Sequence, residues 1–558
     1  MAFQEEKTQR KLKLLREKEE EESIALLSQK YRIPAVDLTR FVIETDALRI
    51  LPEDMSKKAR VVVFQSAGKA VSAALRNPET DETNRALSWL ESRGYRITQF
   101  LASQRSLEHA WELYQRIPKE HEAYAGAIQI SEEKIAEFQK EIQSLGGIQE
   151  RVSQRLNSRT TEILEILLAG ALATDASDIH MEPQQEDRVR VRMRLDGVLY
   201  DAAFLPAKTY ALVLSRIKLV SELKLNVRDR AQDGRFTIRT PTGDIEVRVS
   251  TLPGPQGENT VLRVLNPKSI GVQFPELGLQ PWVADILEKE LEKPNGMIVT
   301  TGPTGSGKTT TLYTFLKKIH SPSVKIITIE DPIEYHLSGV EQTQVDSGRG
   351  YDFANGLRAI VRQDPDIILV GEIRDLETAE TAMHASLTGH LVFSTLHTNN
   401  AAGTIPRLLD LGVKPSIIAP AINVALAQRL VRKLCPKCRE PSRMSAEEKK
   451  RIHAELKTFP SRVPAPNEKS WAVFRPGTSG CDACNGLGYK GRIGIFEMIL
   501  IDDEVERLIA EEPSEYQLVE QAKRQGQITM RQDGLLKALS GVTDFEEVER
   551  IIGSQITM

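Results

Sequence analysis

Residues 302–309 set the tightest limits on the fold, because they match the pattern G-x-x-x-x-G-K-[ST]. The eight residues are Gly302, Pro303, Thr304, Gly305, Ser306, Gly307, Lys308 and Thr309. They follow the apolar run Met297–Thr300, which gives the strand, loop and helix order that a P-loop requires. A chance Gly/Thr loop is the alternative, and the complete match in this context argues against it.

The chemistry of a P-loop explains this spacing. Glycines let the backbone wrap closely around a phosphate with its N–H groups turned inward, and the following helix adds its positive N-terminal end. We expect Lys308 to reach the β- and γ-phosphates and the Thr309 hydroxyl to bind Mg²⁺, with Thr310 next to it in the binding segment. The cofactors expected here are therefore ATP and Mg²⁺.

Composition narrows the class of protein. The chain has 558 residues, enough for about four domains. Its net charge of −4 does not favour nucleic acid as the main partner. No apolar run approaches about 18 residues, and the N-terminus is charged and lacks a signal-peptide core. These features predict a cytoplasmic protein that reaches a membrane only through partners.

Changes in charge and apolar pattern along the sequence suggest five segments. They are a charged N-terminal arm over 1–30, a first N-terminal domain over 31–116, a linker over 117–155, a second N-terminal domain over 156–269 and an ATPase domain over 270–558. The arm is either a solvated, weakly amphipathic segment or one that docks on a partner helix. The linker is expected to contain an exposed helix that Gly146 and Gly147 interrupt.

Periodicity predicts the elements of the two N-terminal domains. In the first we expect strands near 59–64 and 70–75, and helices over 88–91 and 107–114. The second is expected to be α+β, with a packed helix over 160–173 and strands at 189–197 and 261–265. A hairpin is predicted between 236–239 and 245–249, with its turn at 241–244.

The ATPase domain alternates short apolar runs with helical segments, which indicates a parallel sheet covered on both faces. After the P-loop these runs are 326–329, 367–370 and 391–395. Polar residues follow the carboxyl end of each run. In an open α/β sheet this edge is where ligands bind.

Two carboxylates follow neighbouring strands of this sheet. We expect Glu330 to orient the attacking water and Glu372 to act on the Mg²⁺ and water side. The alternative is that these acids merely cap the helices that follow. His390 and His397 bracket the run 391–395, and either could sense the γ-phosphate by donating a hydrogen bond. A structural histidine is the alternative for each.

Four cysteines form two C-x-x-C pairs, Cys435 with Cys438 and Cys481 with Cys484. Two such pairs can close a tetrahedral S₄ site for Zn²⁺ with no open position, so the zinc would be structural. A redox C-x-x-C is the alternative, but no thioredoxin-like context surrounds it. The zinc-binding element would span 431–497, and its proline-containing middle is expected to be a projecting loop.

Together these motifs resemble the secretion ATPases of the type II secretion and type IV pilus systems. The P-loop, the segment Glu330–Glu334, the segment Asp364–Glu372 and the His390/His397 segment are similar to the family's Walker A, Asp box, Walker B and His box. The cysteine element looks like that of the assembly-type branch. The resemblance implies a RecA-like P-loop ATPase domain, a preceding PAS-like α+β domain and a smaller N-terminal α/β domain, with a zinc-binding insertion.

The resemblance also implies partners and further site residues. It implies a homohexameric ring, with nucleotide sites between the two domains of adjacent subunits and Arg235, Arg248 and Arg263 supplying cations. Such a motor would push on an inner-membrane platform protein and work with other pilus or secretion-machine components. Some relatives bind cyclic di-GMP through a long repeated motif, which is not found here. A nucleic-acid translocase, which the charge disfavours, and an ATP-binding scaffold without turnover are the competing functions.

Overall fold

The computed structural model describes residues 23–39, 41, 43, 45–48, 50–67, 69–114, 127–129, 145–155, 160–240, 243–266 and 271–553. Most of the predicted arm, much of the predicted linker, residues 241 and 242 of the predicted turn and the boundary near 269 lie outside these residues. Residue contacts divide the chain into two compact units, Met1–Gln129 with Ile217–Thr237 and Ile130–Arg216 with Ile238–Met558.

The first unit contains a three-stranded sheet between two groups of helices. Strands β1 to β3 are Val61–Ala67, Ala70–Leu75 and Arg96–Leu101, with β2 antiparallel to β1 and parallel to β3. Helices α1 to α4 are Thr45–Leu48, Glu53–Ala59, Asp81–Ser92 and Gln104–Tyr114, and residues 23–31 are also helical.

Strand alternation explains the two-sided core of this sheet. Val61 and Val63 pack on one face with the buried residues of α3, whereas Val62 and Phe64 pack on the other with those of α4. The predicted strands and helices of this segment are therefore present. β1 begins at Val61 rather than at 59, because α2 ends at Arg60 in a left-handed conformation with φ of 53°.

Before the second sheet the chain forms two helices that pack together. β4 is Ala127–Gln129, α5 is Leu145–Arg155 and α6 is Thr160–Ala173, the last with the predicted bounds. Gly146 and Gly147 lie in the first turn of α5, and residues 130–144 lie outside the described part of the chain, so the expected interruption of the linker stays a prediction. Two glycines cost a helix only about 2 kcal/mol, and Ile148 and Val152 are fully buried.

The second sheet has the predicted α+β character. β5, β6 and β7 are Asp178–Gln184, Arg188–Leu195 and Val198–Pro206, followed by helix α7, Ala207–Val220. β8, Gln232–Thr240, runs from the first unit into the second and is followed by its sheet neighbour β9, Gly243–Leu252, and then by β10, Asn259–Leu265. Within the second unit the strand order is β9-β10-β5-β6-β7, and all pairs are antiparallel.

The third sheet carries the P-loop, and six of its seven strands are parallel. Its strand order is β13-β12-β14-β15-β11-β16-β19, and the pair β16–β19 is antiparallel. Strands β11 to β16 are Gly296–Thr301, Ile326–Glu330, Glu341–Gln344, Ile367–Val370, Leu391–Leu396 and Ile422–Leu434, and β19 is Tyr489–Leu500. The short pair β17 and β18, Glu440–Pro441 and Phe474–Arg475, lies outside this sheet.

Helices cover both faces of the third sheet. Helices α8 to α13 are Pro281–Leu291, Lys308–Ile319, Phe353–Val361, Leu376–Leu387, Thr404–Asp410 and Pro415–Ala421, and α14 to α18 are Ala446–Leu456, Asp503–Ala510, Glu515–Arg524, Met530–Leu539 and Phe545–Ile552. In β11, Met297 and Val299 pack with α10 and α11, whereas Ile298 packs with α8 and α9. Burial on both faces explains the continuous apolar runs in the sequence.

The stretch between the cysteine pairs is not the projecting loop that its prolines suggested. It contains α14, whose Ile452 forms a small buried cluster with Val473 and with Leu535 and Leu539 of α17. The Ser445 and Glu448 side chains form a capping box at the start of α14. Throughout the part of the chain that the structure describes, no helix combines the length and apolar composition that a membrane crossing needs.

Candidate nucleotide site and cysteine cluster

The P-loop joins the carboxyl end of β11 to the start of α9, as the motif predicts. Gly302 and Gly307 have φ values of 148° and 90°, which side-chain-bearing residues rarely adopt. A Cβ atom on Gly302 would lie 2.7 Å from the Gln428 carbonyl oxygen, and one on Gly307 2.8 Å from the Gln428 Nε2. The loop therefore depends on glycine for both its conformation and its contact with β16.

Lys308 is buried at the end of this loop. Its Nζ donates hydrogen bonds to the carbonyl oxygens of Gly302, at 2.6 Å, and Pro303, at 3.3 Å. Burial lowers the pKa of Lys308 to about 8, against the opposing effect of the Glu372 carboxylate. The buried Ser306 hydroxyl has no hydrogen-bond partner among the described residues. An ammonium and an orphaned hydroxyl are groups that a nucleotide phosphate would satisfy.

Glu330 and Glu372 come from neighbouring strand ends, as predicted. β12 and β14 are paired in parallel with Ile329 opposite Val370, so Glu330 and Gly371 follow at the same sheet edge. Glu330 is 3% exposed and burial raises its pKa. The Glu372 carboxylate contacts Arg374 Nη2 at 2.5 Å and His397 Nε2 at 3.5 Å.

The two histidines have different positions. His397 follows the carboxyl end of β15, contacts Glu372 and lines the same cavity as the P-loop. His390 precedes β15, and its carbonyl accepts a hydrogen bond from the N–H of Gly296 at the start of β11. The length of β11, about 20 Å, separates this position from the P-loop. The expectation that His390 acts at the nucleotide is therefore wrong, and its Nδ1 instead lies 2.9 Å from the Ala385 carbonyl oxygen.

The three predicted arginines also lie in different positions. Arg263 lines the cavity and its Nε lies 2.9 Å from Asp178 Oδ1. Arg248 hydrogen-bonds the Ile333 carbonyl oxygen and lies 3.6 Å from Glu334, so it holds the loop after β12. Arg235 lies on β8 in the first unit, and its role at a nucleotide stays a prediction.

Asp178 fixes two cations on the cavity wall. Arg194 Nε lies 3.2 Å from Asp178 Oδ2, whereas Arg263 contacts Asp178 Oδ1. Burial raises the pKa of Asp178, but hydrogen bonds from Arg263 and Ser177 outweigh that effect and hold it below its ordinary value. Sequence reasoning missed Arg194. Its signal was an arginine at the end of an alternating strand, just before the turn Asp196–Gly197.

These groups enclose one cavity of about 680 Å³ within the second unit. Its lining includes Thr304 to Thr310, Glu330, Glu372 and His397, and also Asp178, Arg194 and Arg263. Arg492 and Arg550 are further cations of the lining. The volume lies in the range typical of small-molecule sites.

The four cysteines form a single cluster. Their sulfur atoms all lie within 4.8 Å of one another, and three of the Sγ–Sγ distances are 3.7, 3.7 and 3.8 Å. Tetrahedral thiolates at a Zn–S distance of about 2.3 Å would be about 3.8 Å apart, so the donor set fits zinc. The N–H groups of Cys481 and Gly488 lie 3.2 Å from Cys484 Sγ. Such donors stabilise a thiolate ligand.

Comparison with known families gives two matches. A model described as type II/IV secretion system protein matches residues 155–550, and a model of the MshEN domain matches residues 31–121. The second match covers the predicted first N-terminal domain. The domain division proposed from the sequence stays a prediction.

Individual proteins show the same relationship. The type IV pilus assembly ATPase PilB of Myxococcus xanthus is 35% identical over 535 residues, covering 95% of this chain and 91% of that protein. Type II secretion system protein E of Pseudomonas aeruginosa is 44% identical over 389 residues, 70% of this chain and 74% of that protein. The ATPase DotB of Legionella pneumophila shares the fold, with a TM-score of 0.50 and 20% identity over 70% of this chain and 95% of DotB.

Proposed function

The chain belongs to the type II/IV secretion system protein family, and on that basis we propose that it hydrolyses ATP to power type IV pilus assembly or the pseudopilus step of type II secretion. The observation that carries this proposal is the single cavity in which the P-loop, two strand-end carboxylates and the Arg263 guanidinium meet. Its lining provides phosphate binding, water activation and charge neutralisation together.

Each group has a distinct part in the proposed reaction. Lys308 and the loop N–H groups bind the β- and γ-phosphates, and Thr309 and Glu372 hold the Mg²⁺ side of the site. Mg²⁺ would neutralise developing charge on the phosphates. Glu330 orients the attacking water, and His397 contacts the γ-phosphate side next to Glu372.

The arginines would supply the remaining positive charge. Arg263 is held at the cavity by Asp178, so its guanidinium is available to a phosphate bound there. Arg248 acts indirectly, by holding the loop after β12 in place. An arginine brought to the phosphates as two domains close links hydrolysis to their relative rotation.

We further propose that the working form is a homohexamer at the cytoplasmic side of the inner membrane. It would push on an inner-membrane platform protein and engage other components of the pilus or secretion machine. The similarity to both PilB and type II secretion protein E supports this setting. Attachment to the membrane would come through these partners, with no direct role for nucleic acid.

The cysteine cluster is proposed to hold a structural Zn²⁺. With all four ligands supplied by the chain, no position is left for a substrate. The metal would hold the two C-x-x-C pairs together near the end of β16 and the start of β19. These two strands connect the cluster to the central sheet.

The test of the proposed function is ATP hydrolysis per subunit as a function of protein concentration, with Lys308→Ala as the blank. We expect turnover that rises with concentration and then saturates, because the ring forms by association. Particle mass at the same concentrations identifies the assembled species. Turnover no greater than that of Lys308→Ala, with the platform protein added as well as without it, would contradict the proposal.

A further inference from the structure

Glu330 is held by three side chains from three directions. Tyr313 Oη donates a hydrogen bond to Glu330 Oε2 at 2.5 Å. Thr328 Oγ1 and Gln342 Nε2 donate to Oε1, at 2.7 and 3.1 Å. The carboxylate is thus fixed in orientation before any nucleotide arrives, and such pre-organisation is what a water-orienting group needs.

Tyr313 ties this carboxylate to the P-loop helix. It lies on α9, which begins at Lys308, and it is 2% exposed at the lining of the cavity. Its hydroxyl joins α9 to Glu330 through this hydrogen bond. A movement of α9 relative to β12 would therefore change the position of the carboxylate.

Gln342 ties the same carboxylate to the loop after β12. Besides contacting Glu330, its Nε2 donates to the Tyr335 carbonyl oxygen at 2.9 Å, and its Oε1 accepts from the N–H of Leu337 at 2.7 Å. Gln342 lies on β13 at the edge of the sheet. One amide thus fixes both the loop and the carboxylate.

We propose that Tyr313 and Gln342 are positioning residues for Glu330, which set the orientation of its carboxylate for hydrolysis. This inference rests on the proposed role of Glu330. Neither residue needs to touch the nucleotide, because each acts through the carboxylate.

The charges around Glu330 make this support necessary. Burial is the largest influence and raises the pKa of Glu330, and the nearby Glu334 carboxylate adds to the effect. The hydrogen bonds from Tyr313, Thr328 and Gln342 lower it. Arg248 pairs with Glu334 and so reduces the repulsion between Glu334 and Glu330.

The test is the pH dependence of kcat for ATP hydrolysis in Tyr313→Phe, which keeps the buried ring and removes only the hydroxyl. Loss of one hydrogen bond to a carboxylate should raise the pKa of Glu330, moving the acid limb of the profile up by about one pH unit. We expect kcat to fall about tenfold on the acid limb and to recover at higher pH, with KM unchanged. Gln342→Met should shift the limb in the same direction.

Tyr351→Phe is the matched control. The Tyr351 hydroxyl donates to Thr343 Oγ1 at 3.0 Å on the same edge of the sheet, without contact to Glu330. Its pH profile should equal that of the wild type. A loss in Tyr313→Phe that is the same at every pH would overturn the positioning role, because a purely structural defect has no reason to follow Glu330 ionisation.

Glu330→Gln separates this inference from the function on which it rests. If Glu330→Gln keeps wild-type turnover, Glu330 has no role in hydrolysis and both proposals about it fail. If Glu330→Gln is inactive while Tyr313→Phe keeps the wild-type rate and profile, the positioning inference alone is wrong. An inactive Glu330→Gln together with a shifted limb in Tyr313→Phe supports both.

Discussion

At the scale of single residues, Lys308 combines a functional charge with a buried position. Its buried ammonium donates hydrogen bonds to two backbone carbonyls instead of to water, and burial lowers its pKa to about 8. A bound triphosphate would favour the charged form, because opposite charges raise the pKa of an ammonium. Nucleotide binding and protonation of Lys308 are therefore coupled.

This coupling predicts proton uptake on nucleotide binding. At pH 8 about half of the Lys308 side chains are neutral before binding and charged after it, so binding should take up a fraction of a proton. Affinity should decline as the pH rises above 8. Calorimetric titration in two buffers of different ionisation enthalpy measures the uptake. At pH 6.5 the lysine is already charged and the uptake should vanish, and equal uptake at both pH values would exclude Lys308 as its source.

At the scale of elements, an ion pair connects β16 to the last helix of the described chain. Arg432, near the end of β16, lies 2.7 Å from Glu547 of α18, whose side chain is fully buried. Arg432 also stacks on the Tyr489 ring and donates to the Tyr200 hydroxyl. One guanidinium thus joins β16, β19, α18 and β7.

Removal of Glu547 should therefore be costly. Glu547→Ala leaves the partly buried Arg432 without its carboxylate partner, and breaking a fully buried pair typically costs about 3–5 kcal/mol, which is the upper limit here. We expect a clear drop in the temperature of thermal unfolding. Glu549→Ala, on the exposed side of the same helix, is the control and should unfold at the wild-type temperature. Equal unfolding temperatures for the two variants would show that the pair adds nothing to stability.

At the scale of the whole molecule, the cavity joins distant parts of one chain. Arg263 and the P-loop of the same chain line it together. Arg263 should therefore serve the nucleotide of its own subunit. The sequence left open whether such an arginine acts within a subunit or on its neighbour.

Mixing two inactive variants tests this assignment. In mixed assemblies of Arg263→Ala and Lys308→Ala, no subunit has both groups, so we expect no recovery of ATP hydrolysis beyond the sum of the separate variants. Mass analysis of differently tagged subunits confirms that mixed assemblies form. Recovered turnover would mean that Arg263 acts across the subunit interface.

Much of this arrangement could be predicted from the sequence because its signals are local. The P-loop pattern and the apolar runs of β11, β12, β14 and β15 are short and continuous, since both faces of these strands are buried. β13 escaped notice because its four residues, Glu341–Gln344, are all polar and none is buried. Its pairing with β12 is a tertiary contact that no local pattern shows.

The remaining errors also have tertiary causes. His390 and His397 are equally close in sequence to β15. His397 lies at the ligand edge because β15 runs parallel to β11, so the carboxyl ends of both strands meet there, whereas His390 lies at the opposite edge. α14 is mostly charged, and its single buried side chain, Ile452, finds its partners on α17. Tyr313 was not singled out from the sequence, because its hydrogen-bond acceptor, Glu330, is supplied by a separate strand.

The long strand β16 passes beneath the P-loop and ends at the cysteine cluster. Gln428 contacts both the loop glycines and, through its Oε1, Thr311 of α9, and Cys435 follows directly after Leu434. The six residue steps from Gln428 to Leu434 span about 20 Å. β19 pairs with β16 over this length, so the connection is two-stranded. One continuous strand therefore joins the phosphate site to the cysteine cluster, and a variant that loosens the cluster should also be felt at the P-loop.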